Sequence, residues 1–331
     1  MEKPQTILVT GCGGDIGQSV GKIIKMNYKD IKVIGCDIYD KHAGHLIFDI
    51  CEVVPKATSP NYMKELKEVI NKYKPDFIFP ISEAELNYFY KNKITKIANV
   101  GLIRPNFKAM KIANDKFLTQ EFLKENDLPY AWTIKASDGK PKEFPCILKD
   151  IFGRGSKNLK IIYEEDYETY KDYSEEFIFQ EYLLPDDEEY TCGVFRTKKS
   201  EVRTIIFNRT LSRGYTNYGE VVVNEEISKL LKVVAEKLNL IGSINVQLRL
   251  TKKGPVIFEI NARYSSTVLF RHMLGFEDVI WSVDDYFNNP LEKQEPAKAG
   301  TKIYKGWQEY IVYKDNSKAT IDNTDFKMRL Y

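Results

Sequence analysis

Two neighbouring stretches in the last third of the chain alternate polar and apolar residues, and no other feature restricts the possible folds as strongly. The stretches cover residues 243–250 and 255–263, and a four-residue turn, 251–254, separates them. Alternation of this length is typical of strands with one buried face, so the pattern predicts a β-hairpin. Seven apolar side chains are expected on its buried face: Ile244, Val246, Leu248, Leu250, Val256, Phe258 and Ile260.

The other face of the hairpin carries amide, carboxylate and guanidinium groups. Antiparallel pairing across the turn places Gln247 beside Glu259, with Cβ atoms roughly 5 Å apart. The same register places Asn245 beside Asn261, and Arg263 follows at the end of the strand. Amide and carboxylate oxygens suit Mg²⁺, which usually shares its shell with substrate phosphates, so this face predicts a nucleotide site. A simply solvated face is the alternative, although such a face more commonly carries Lys, Glu and Thr.

Composition favours an ordinary globular protein. The chain has 331 residues, 43% of them hydrophobic, which predicts two or three domains. Its 49 Lys and Arg nearly balance 47 Asp and Glu, so no overall field would gather nucleic acid or an anionic membrane. Five widely spaced cysteines and three histidines show no metal-ligand spacing, and no leader or membrane span is visible. We therefore expect a cytoplasmic protein without nucleic-acid or membrane partners.

The first hundred residues alternate strand and helix patterns and predict a doubly wound parallel sheet. Strands are expected at 6–10, 32–36 and 76–81, with helices after Gly14 and around 62–73. The first turn holds glycines at 11, 13, 14 and 17, and Asp37 ends the second strand, which is the pattern of a dinucleotide site. Such turns also occur where a helix packs tightly on a sheet, so both interpretations stay open.

The rest of the chain predicts a mixture of helices and strands in two parts. A linker after Pro105 and an amphipathic helix from Asn114 to about Asn126 put the first boundary near 113. A small α+β lid should contain strands at 145–150, 159–163 and 177–183 and an acidic helix through 170. Long strands at 190–197 and 202–208 and a helix at 225–238 then lead to the hairpin. The expected units are 1–113, 114–186 and 187–331.

With these landmarks in this order, the chain resembles the ATP-grasp superfamily, most closely its carbamoyl-phosphate-synthase-like and amino-acid-ligase branch. That branch has a Gln, a hairpin and then Glu-x-Asn-x-Arg, as this chain does from Gln247 to Arg263. The resemblance implies an N-terminal parallel α/β domain followed by a small lid and a larger antiparallel-sheet subdomain. It implies ATP and two Mg²⁺ ions, for which Mn²⁺ could substitute. It assigns the metal to Gln247, Glu259 and Asn261.

Basic residues earlier in the chain suit the phosphates of ATP. Lys149 ends an apolar strand, so its charge needs compensation, and a glycine turn follows that can fold backbone N–H groups over an anion. The resemblance implies that Lys149 and Lys116 bind phosphate and that Arg263 faces the transferred phosphoryl group. It assigns the mobile flap to Gly153, Arg154, Gly155 and Ser156.

The segment between the expected lid and the long strands resembles the hinge that holds adenosine in this superfamily. The resemblance assigns adenine to Glu181, Tyr182 and Leu183 and the ribose to Glu189. Many relatives have a glycine where this chain has acidic residues before that position, so Glu188 and Glu189 both stay open for the ribose. Arg213, in a glycine- and tyrosine-containing loop, is the candidate for a substrate carboxylate.

The resemblance implies ATP-dependent ligation, in which a carboxylate takes the γ-phosphoryl group and an amine then displaces phosphate. Its partners would be small carboxylates and amines, and a homodimer is compatible with the sequence. One alternative is an NAD(P)-dependent reductase or epimerase built on the first glycine turn. Such enzymes need Tyr-x-x-x-Lys, which occurs at 167–171 and 310–314, outside the N-terminal sheet. The other alternative is a non-catalytic ATP sensor.

Overall fold

The structure is a computed structural model that describes most of the chain. The described residues are 2–152, 158–170, 175–212, 214–295, 297–306, 310–312, 314–315, 318–321 and 328–330. Within them, no helix has the length and apolar character needed to cross a bilayer.

The N-terminal part is a six-stranded sheet with helices on both faces. Its strands are β1 (Thr6–Thr10), β2 (Lys32–Asp37), β3 (Ile50–Val53), β4 (Phe77–Phe79), β5 (Lys96–Ile97) and β6 (Val100–Leu102). Its helices are α1 (Asp15–Asn27), α2 (Tyr62–Tyr73) and α3 (Glu83–Lys91). The order is β3-β2-β1-β4-β6-β5, and β5 alone among these strands is antiparallel. The predicted doubly wound sheet is confirmed.

Both faces of β1 are buried, which explains its continuous apolar sequence. Ile7 and Val9 pack in one cluster with α1, whereas Leu8 packs in another with Leu66 and Ile70 of α2.

Two consecutive helices, α4 (Phe107–Asn114) and α5 (Lys116–Glu125), leave the N-terminal sheet. The prediction of a linker after Pro105 is therefore wrong for residues 107–114. Ala109, Met110 and Ile112 are buried at helical spacing, which stabilises α4. α5 starts after Asp115 because that side chain accepts a hydrogen bond from the Leu118 N–H at 2.9 Å and caps the helix.

A four-stranded antiparallel sheet, here called the lid sheet, follows α5. It contains β7 (Thr133–Lys135), β8 (Cys146–Asp150), β9 (Lys160–Ile162) and β10 (Phe177–Glu181) in the order β7-β10-β8-β9. The short helix α6 (Tyr167–Tyr170) precedes β10. Leu148 and Phe179 lie in the small apolar cluster of the lid sheet. The predicted lid strands and acidic helix are confirmed, while the boundaries at 113 and 186 stay predictions.

The third part is built on a larger six-stranded sheet, here called the large sheet. Its strands are β11 (Glu189–Arg196), β12 (Val202–Ser212), β13 (Tyr215–Val221), β14 (Gly242–Thr251), β15 (Gly254–Asn261) and β16 (Lys302–Tyr304). The order is β15-β14-β11-β12-β13-β16. Its helices are α7 (Glu225–Lys237), α8 (Val268–Met273) and α9 (Asp278–Phe287). Three short strands, β17 (Tyr310–Val312), β18 (Lys318–Ile321) and β19 (Met328–Leu330), form a separate antiparallel sheet.

The hairpin of β14 and β15 has the predicted register near its open end, but its alternation slips once. Gln247 lies opposite Glu259, whereas Leu248 lies opposite Ile257, so β15 contains a bulge at Phe258. The predicted burial of Val256 and Phe258 in the hydrophobic core is therefore wrong. Ile257 is fully buried in the core under α7, and Phe258 lines a cavity instead.

Candidate active site

Side chains from the lid sheet and the large sheet surround one cavity of about 470 Å³. β8, β9 and β10 line it on the lid side, and β11, β12, β14 and β15 line it on the other. Lys116, the first residue of α5, also reaches the cavity. Of the residues predicted for the site, these line the cavity: Lys116, Lys149, Glu181, Tyr182, Leu183, Glu189, Gln247, Glu259 and Arg263.

The hairpin places two predicted metal ligands, Gln247 and Glu259, in the cavity wall, whereas the third, Asn261, adjoins Glu259 and is not among the described residues that line the cavity. Gln247 and Glu259 lie opposite each other, and the Asn261 Nδ2 donates a hydrogen bond to the Glu259 Oε1 at 3.0 Å. The donor set of one carboxylate and two amide oxygens fits Mg²⁺. Gln247 Oε1 also accepts a hydrogen bond from Arg209 Nη2 at 2.7 Å, so a metal ion at Gln247 would share this oxygen with Arg209 or displace the guanidinium.

Charges of both signs meet in the cavity wall. Lys149 is 7% exposed, and its Nζ lies 5.8 Å from the centre of the Phe258 ring. Burial lowers the pKa of Lys149 to about 8, and the negative charge of Glu259 opposes that shift. Burial by itself would raise the pKa of Glu259, but Lys116, Lys149 and the Asn261 N–H together lower it. Glu259 is therefore ionised at neutral pH, as a metal ligand must be.

Two arginines in the cavity wall are not among the predicted site residues. Arg209 on β12 donates to Glu189 Oε1 from Nε at 3.0 Å and from Nη2 at 2.8 Å. Arg249 on β14 donates from Nη2 to Glu189 Oε2 at 3.1 Å. A signal for Arg249 is present in the sequence, since it continues the alternating polar positions of Asn245 and Gln247. Sequence patterns gave no comparable signal for Arg209.

The structure separates the two acids left open for the ribose. Glu189 lines the cavity between the two arginines. Glu188 accepts a hydrogen bond from the Tyr190 hydroxyl and is not among the described residues that line the cavity. In the segment predicted to hold adenine, the Tyr182 hydroxyl donates a hydrogen bond to Asp186 Oδ2 at 2.7 Å, which restrains that segment.

Five predicted site residues lie outside the described residues: Gly153, Arg154, Gly155, Ser156 and Arg213. Their described neighbours Asp150, Asn158 and Gly214 line the cavity.

Arg263 links the cavity to the N-terminal sheet. Its Nε lies 3.6 Å from the Glu83 Oε2, and its Nη1 donates to the Tyr264 carbonyl at 3.0 Å. Glu83 begins α3, just beyond the carboxyl end of β4, which is the edge where open α/β sheets place ligands.

The first glycine turn is filled by groups of the protein itself. Asp37 Oδ2 accepts a hydrogen bond from the Gly13 N–H at 2.8 Å, and a Cβ at Gly13 would lie 2.8 Å from the His42 ring. A Cβ at Gly17 would lie 2.1 Å from the Gly11 carbonyl oxygen. These glycines are needed for close packing, which favours the structural interpretation over a dinucleotide site.

A parallel α/β domain, followed by a small antiparallel lid sheet and a large antiparallel sheet with a charged cavity between these two sheets, defines an ATP-grasp fold. Comparison with known protein families supports this assignment of the fold. Residues 173–307 match a family described as ATP-grasp in the biosynthetic pathway with Ter operon, and residues 7–103 match the PylC-like N-terminal domain. The matched residues 173–307 therefore belong to an ATP-grasp domain.

Individual relatives are distant. The chain is 22% identical to phosphoribosylamine–glycine ligase of Pyrococcus furiosus over 67% of this chain, and it spans 60% of that protein's length. It is 34% identical to carbamoyl-phosphate synthase of Methanobrevibacter smithii over 26% of this chain and 24% of that protein. An N5-carboxyaminoimidazole ribonucleotide synthetase in complex with ADP superposes with a TM-score of 0.72 at 17% identity, covering 90% of this chain and 81% of that one.

Proposed function

We propose that this protein is an ATP-dependent carboxylate–amine ligase. A carboxylate oxygen of the substrate attacks the γ-phosphorus of ATP, the bond to the β,γ-bridging oxygen breaks, and ADP leaves. The amine nitrogen then attacks the acyl carbon, phosphate leaves, and the amine loses a proton as the amide forms. The observation that carries this proposal is the cross-strand pair of Gln247 and Glu259, set in one cavity with Lys116, Lys149 and Arg263.

Each group of residues in the cavity has a proposed role. Gln247, Glu259 and Asn261 hold Mg²⁺, which supplies charge neutralisation to the phosphates when bound. Lys116 and Lys149 bind the phosphates as positive charges that the buried wall holds in place. The attraction of the Glu259 carboxylate for the ammonium groups of Lys116 and Lys149 supports these roles.

Adenosine binding is proposed for the lid side of the cavity. Backbone groups of Glu181, Tyr182 and Leu183 would contact adenine, and Glu189 would accept a ribose hydroxyl. Glu189 already accepts three hydrogen bonds from its two arginines, and a carboxylate has about four acceptor positions, so one remains for the ribose.

Roles at the reacting end of the cavity complete the proposal. Arg263 would stabilise charge on the transferred phosphoryl group, and Arg213 would bind the substrate carboxylate. Residues 153–156 would cover the phosphates as a flap and exclude water, which matters because water hydrolyses an acylphosphate.

The ligase proposal is tested by trapping the acylphosphate. The protein is incubated with ATP, Mg²⁺ and a panel of carboxylates, with hydroxylamine replacing the amine, and hydroxamate, ADP and phosphate are measured. An accepted carboxylate should yield hydroxamate and ADP in equal amounts. ATP binding without ADP release for every carboxylate, amino acids and bicarbonate included, would favour the sensor. Saturable NADH binding would favour the reductase.

Replacement of the carboxylate ligand should separate chemistry from folding. We expect Glu259→Gln to lower ADP formation at least about 100-fold, because an amide cannot supply the negative charge that the metal requires. Glu236→Gln, on the exposed face of α7, is the matched control and should keep full activity. Far-ultraviolet circular dichroism should show the same fold for both. Near-normal turnover in Glu259→Gln would remove the proposed metal site.

We also propose a cytoplasmic location, a homodimeric assembly, two Mg²⁺ ions and replacement of Mg²⁺ by Mn²⁺. All five cysteines are free in the structure, which supports a reducing compartment. The cavity volume of about 470 Å³ supports small-molecule carboxylate and amine substrates.

A further inference from the structure

Two cysteines and a histidine meet in the N-terminal domain, outside the nucleotide cavity. Cys12 lies in the turn after β1, Cys51 lies on β3, and their sulfurs and one nitrogen of His42 all lie within 4.8 Å of one another. The Cys12 Sγ is 3.8 Å from the His42 Nε2. The proposed ligase chemistry uses none of these three side chains.

A glycine on the intervening strand lets the two thiols meet. Gly35 on β2 lies opposite Cys51 on β3, so positions 35 and 51 point to the same face of the sheet. A Cβ at Gly35 would stand 2.7 Å from the Cys12 sulfur. The Cys12 thiol therefore occupies the space that a side chain at position 35 would fill, directly beside Cys51.

The hydrogen bonding of His42 argues against a metal centre. Its Nδ1 accepts a hydrogen bond from the Gly44 N–H at 3.1 Å, so in the neutral ring the proton is on Nε2. Nε2 is the nitrogen that faces Cys12, and a metal ligand there would need its lone pair. The imidazole is placed to donate a hydrogen bond to sulfur rather than to coordinate a cation.

The two cysteines are chemically unequal. Cys12 is fully buried, and a hydrogen bond to Cys51, together with burial and the nearby Asp37, raises its pKa. Cys51 is half-buried, and the hydrogen bond from Cys12, aided by His45, lowers its pKa against the effects of burial, Asp40 and Asp37. A partly exposed cysteine with a lowered pKa beside a buried cysteine with a raised pKa is the arrangement of an attacking and a resolving cysteine.

We propose that Cys51 and Cys12 form a reversible disulfide in response to hydroperoxides. The Cys51 thiolate attacks one peroxide oxygen, the O–O bond breaks, and a sulfenic acid and hydroxide result. The Cys12 sulfur then attacks the Cys51 sulfur, the S–S bond forms, and the S–O bond breaks with loss of water, which carries away the Cys12 proton. Two thiols thereby supply the two electrons that reduce one hydroperoxide.

The test uses the full chain and hydrogen peroxide. After brief oxidation and alkylation of the remaining thiols, non-reducing proteolysis and mass spectrometry should find a peptide pair linking Cys12 to Cys51, lighter by two hydrogens and lost on adding dithiothreitol. Cys51→Ser should abolish the link. Cys12→Ser should instead leave a sulfenic acid on Cys51 that dimedone traps.

Cys146→Ser is the matched control, because Cys146 is fully buried in the lid sheet and burial raises its pKa to about 12. It should leave the Cys12–Cys51 link unchanged. Full alkylation of Cys12 and Cys51 after peroxide treatment of the folded protein would overturn the proposal. So would links between other cysteines, or binding of one Zn²⁺ that protects both thiols and is lost in either serine variant.

Discussion

Lys149 carries a positive charge into the buried wall between the lid sheet and the large sheet. Its pKa of about 8 reflects burial first, with Lys116 lowering it further and Glu259 and Glu189 acting in the opposite direction. The protein thus holds a cation whose charge is only partly compensated until an anion arrives. A triphosphate would supply the missing negative charge.

We therefore expect nucleotide affinity to depend on pH. As pH rises through about 8, the free protein loses the Lys149 proton, whereas the phosphate-bound lysine keeps it. Binding must then take up a proton, so affinity should fall by up to about tenfold per pH unit above 8. Calorimetric titration with ADP and Mg²⁺ from pH 7.5 to 9.5 would measure this.

Lys149→Arg is the matched variant for this prediction, because a guanidinium keeps its charge throughout that pH range. Its affinity should vary much less between pH 7.5 and 9.5. Parallel pH profiles for the two proteins would show that a group other than Lys149 controls binding.

Glu189 is held by Arg209 and Arg249 before any ligand binds. Its oxygens accept from Arg209 at 2.8 and 3.0 Å and from Arg249 at 3.1 Å. Removal of Arg209 alone would leave the half-buried Glu189 carboxylate short of a partner. The same guanidinium contacts Gln247, so one side chain joins the proposed ribose and metal positions.

The bulge in β15 decides which side chains of the hairpin face the cavity. Because the bulge adds one residue to β15, Phe258 and Glu259 both line the cavity. Ile257 lies in the core beneath α7. A regular strand would have placed Phe258 in the core.

Two alanine substitutions distinguish these faces. Ile257→Ala should lower the free energy of unfolding by about 2–4 kcal/mol, because it leaves a cavity in the core. Phe258→Ala should cost less stability and weaken nucleotide binding, since Phe258 packs beside Lys149. Urea denaturation and ADP titration would measure both effects. A larger loss of stability for Phe258→Ala would contradict the bulge.

The N-terminal sheet depends on helices from the far end of the chain. Val268 of α8 and Val279 and Val283 of α9 lie in the same apolar cluster as Ile7 and Val9. The α9 rings of Tyr286 and Phe287 pack against Phe77 of β4 in tilted and edge-on arrangements, with ring centres 5.3 and 5.8 Å away.

The predicted unit 1–113 should therefore not fold independently. Without α8 and α9 it would expose the core faces of α1 and the sheet, so we expect no cooperative thermal transition by circular dichroism. Adding a separate 114–331 fragment should restore one. A cooperative transition of 1–113 alone would show that the N-terminal domain is self-contained.

Periodicity and turn residues in the sequence were enough to predict the parallel N-terminal sheet, the lid strands, and the pairing of Gln247 with Glu259. Each depends on neighbours along the chain, because apolar spacing sets which face is buried and the turn sets the register. Only the folded chain revealed four other features: the bulge at Phe258, the hydrogen bonds from Arg209 to Glu189, the proximity of Cys12 to Cys51, and the packing of α9 on Phe77. These contacts join segments distant in sequence, and their geometry depends on how whole sheets and helices pack rather than on any local pattern.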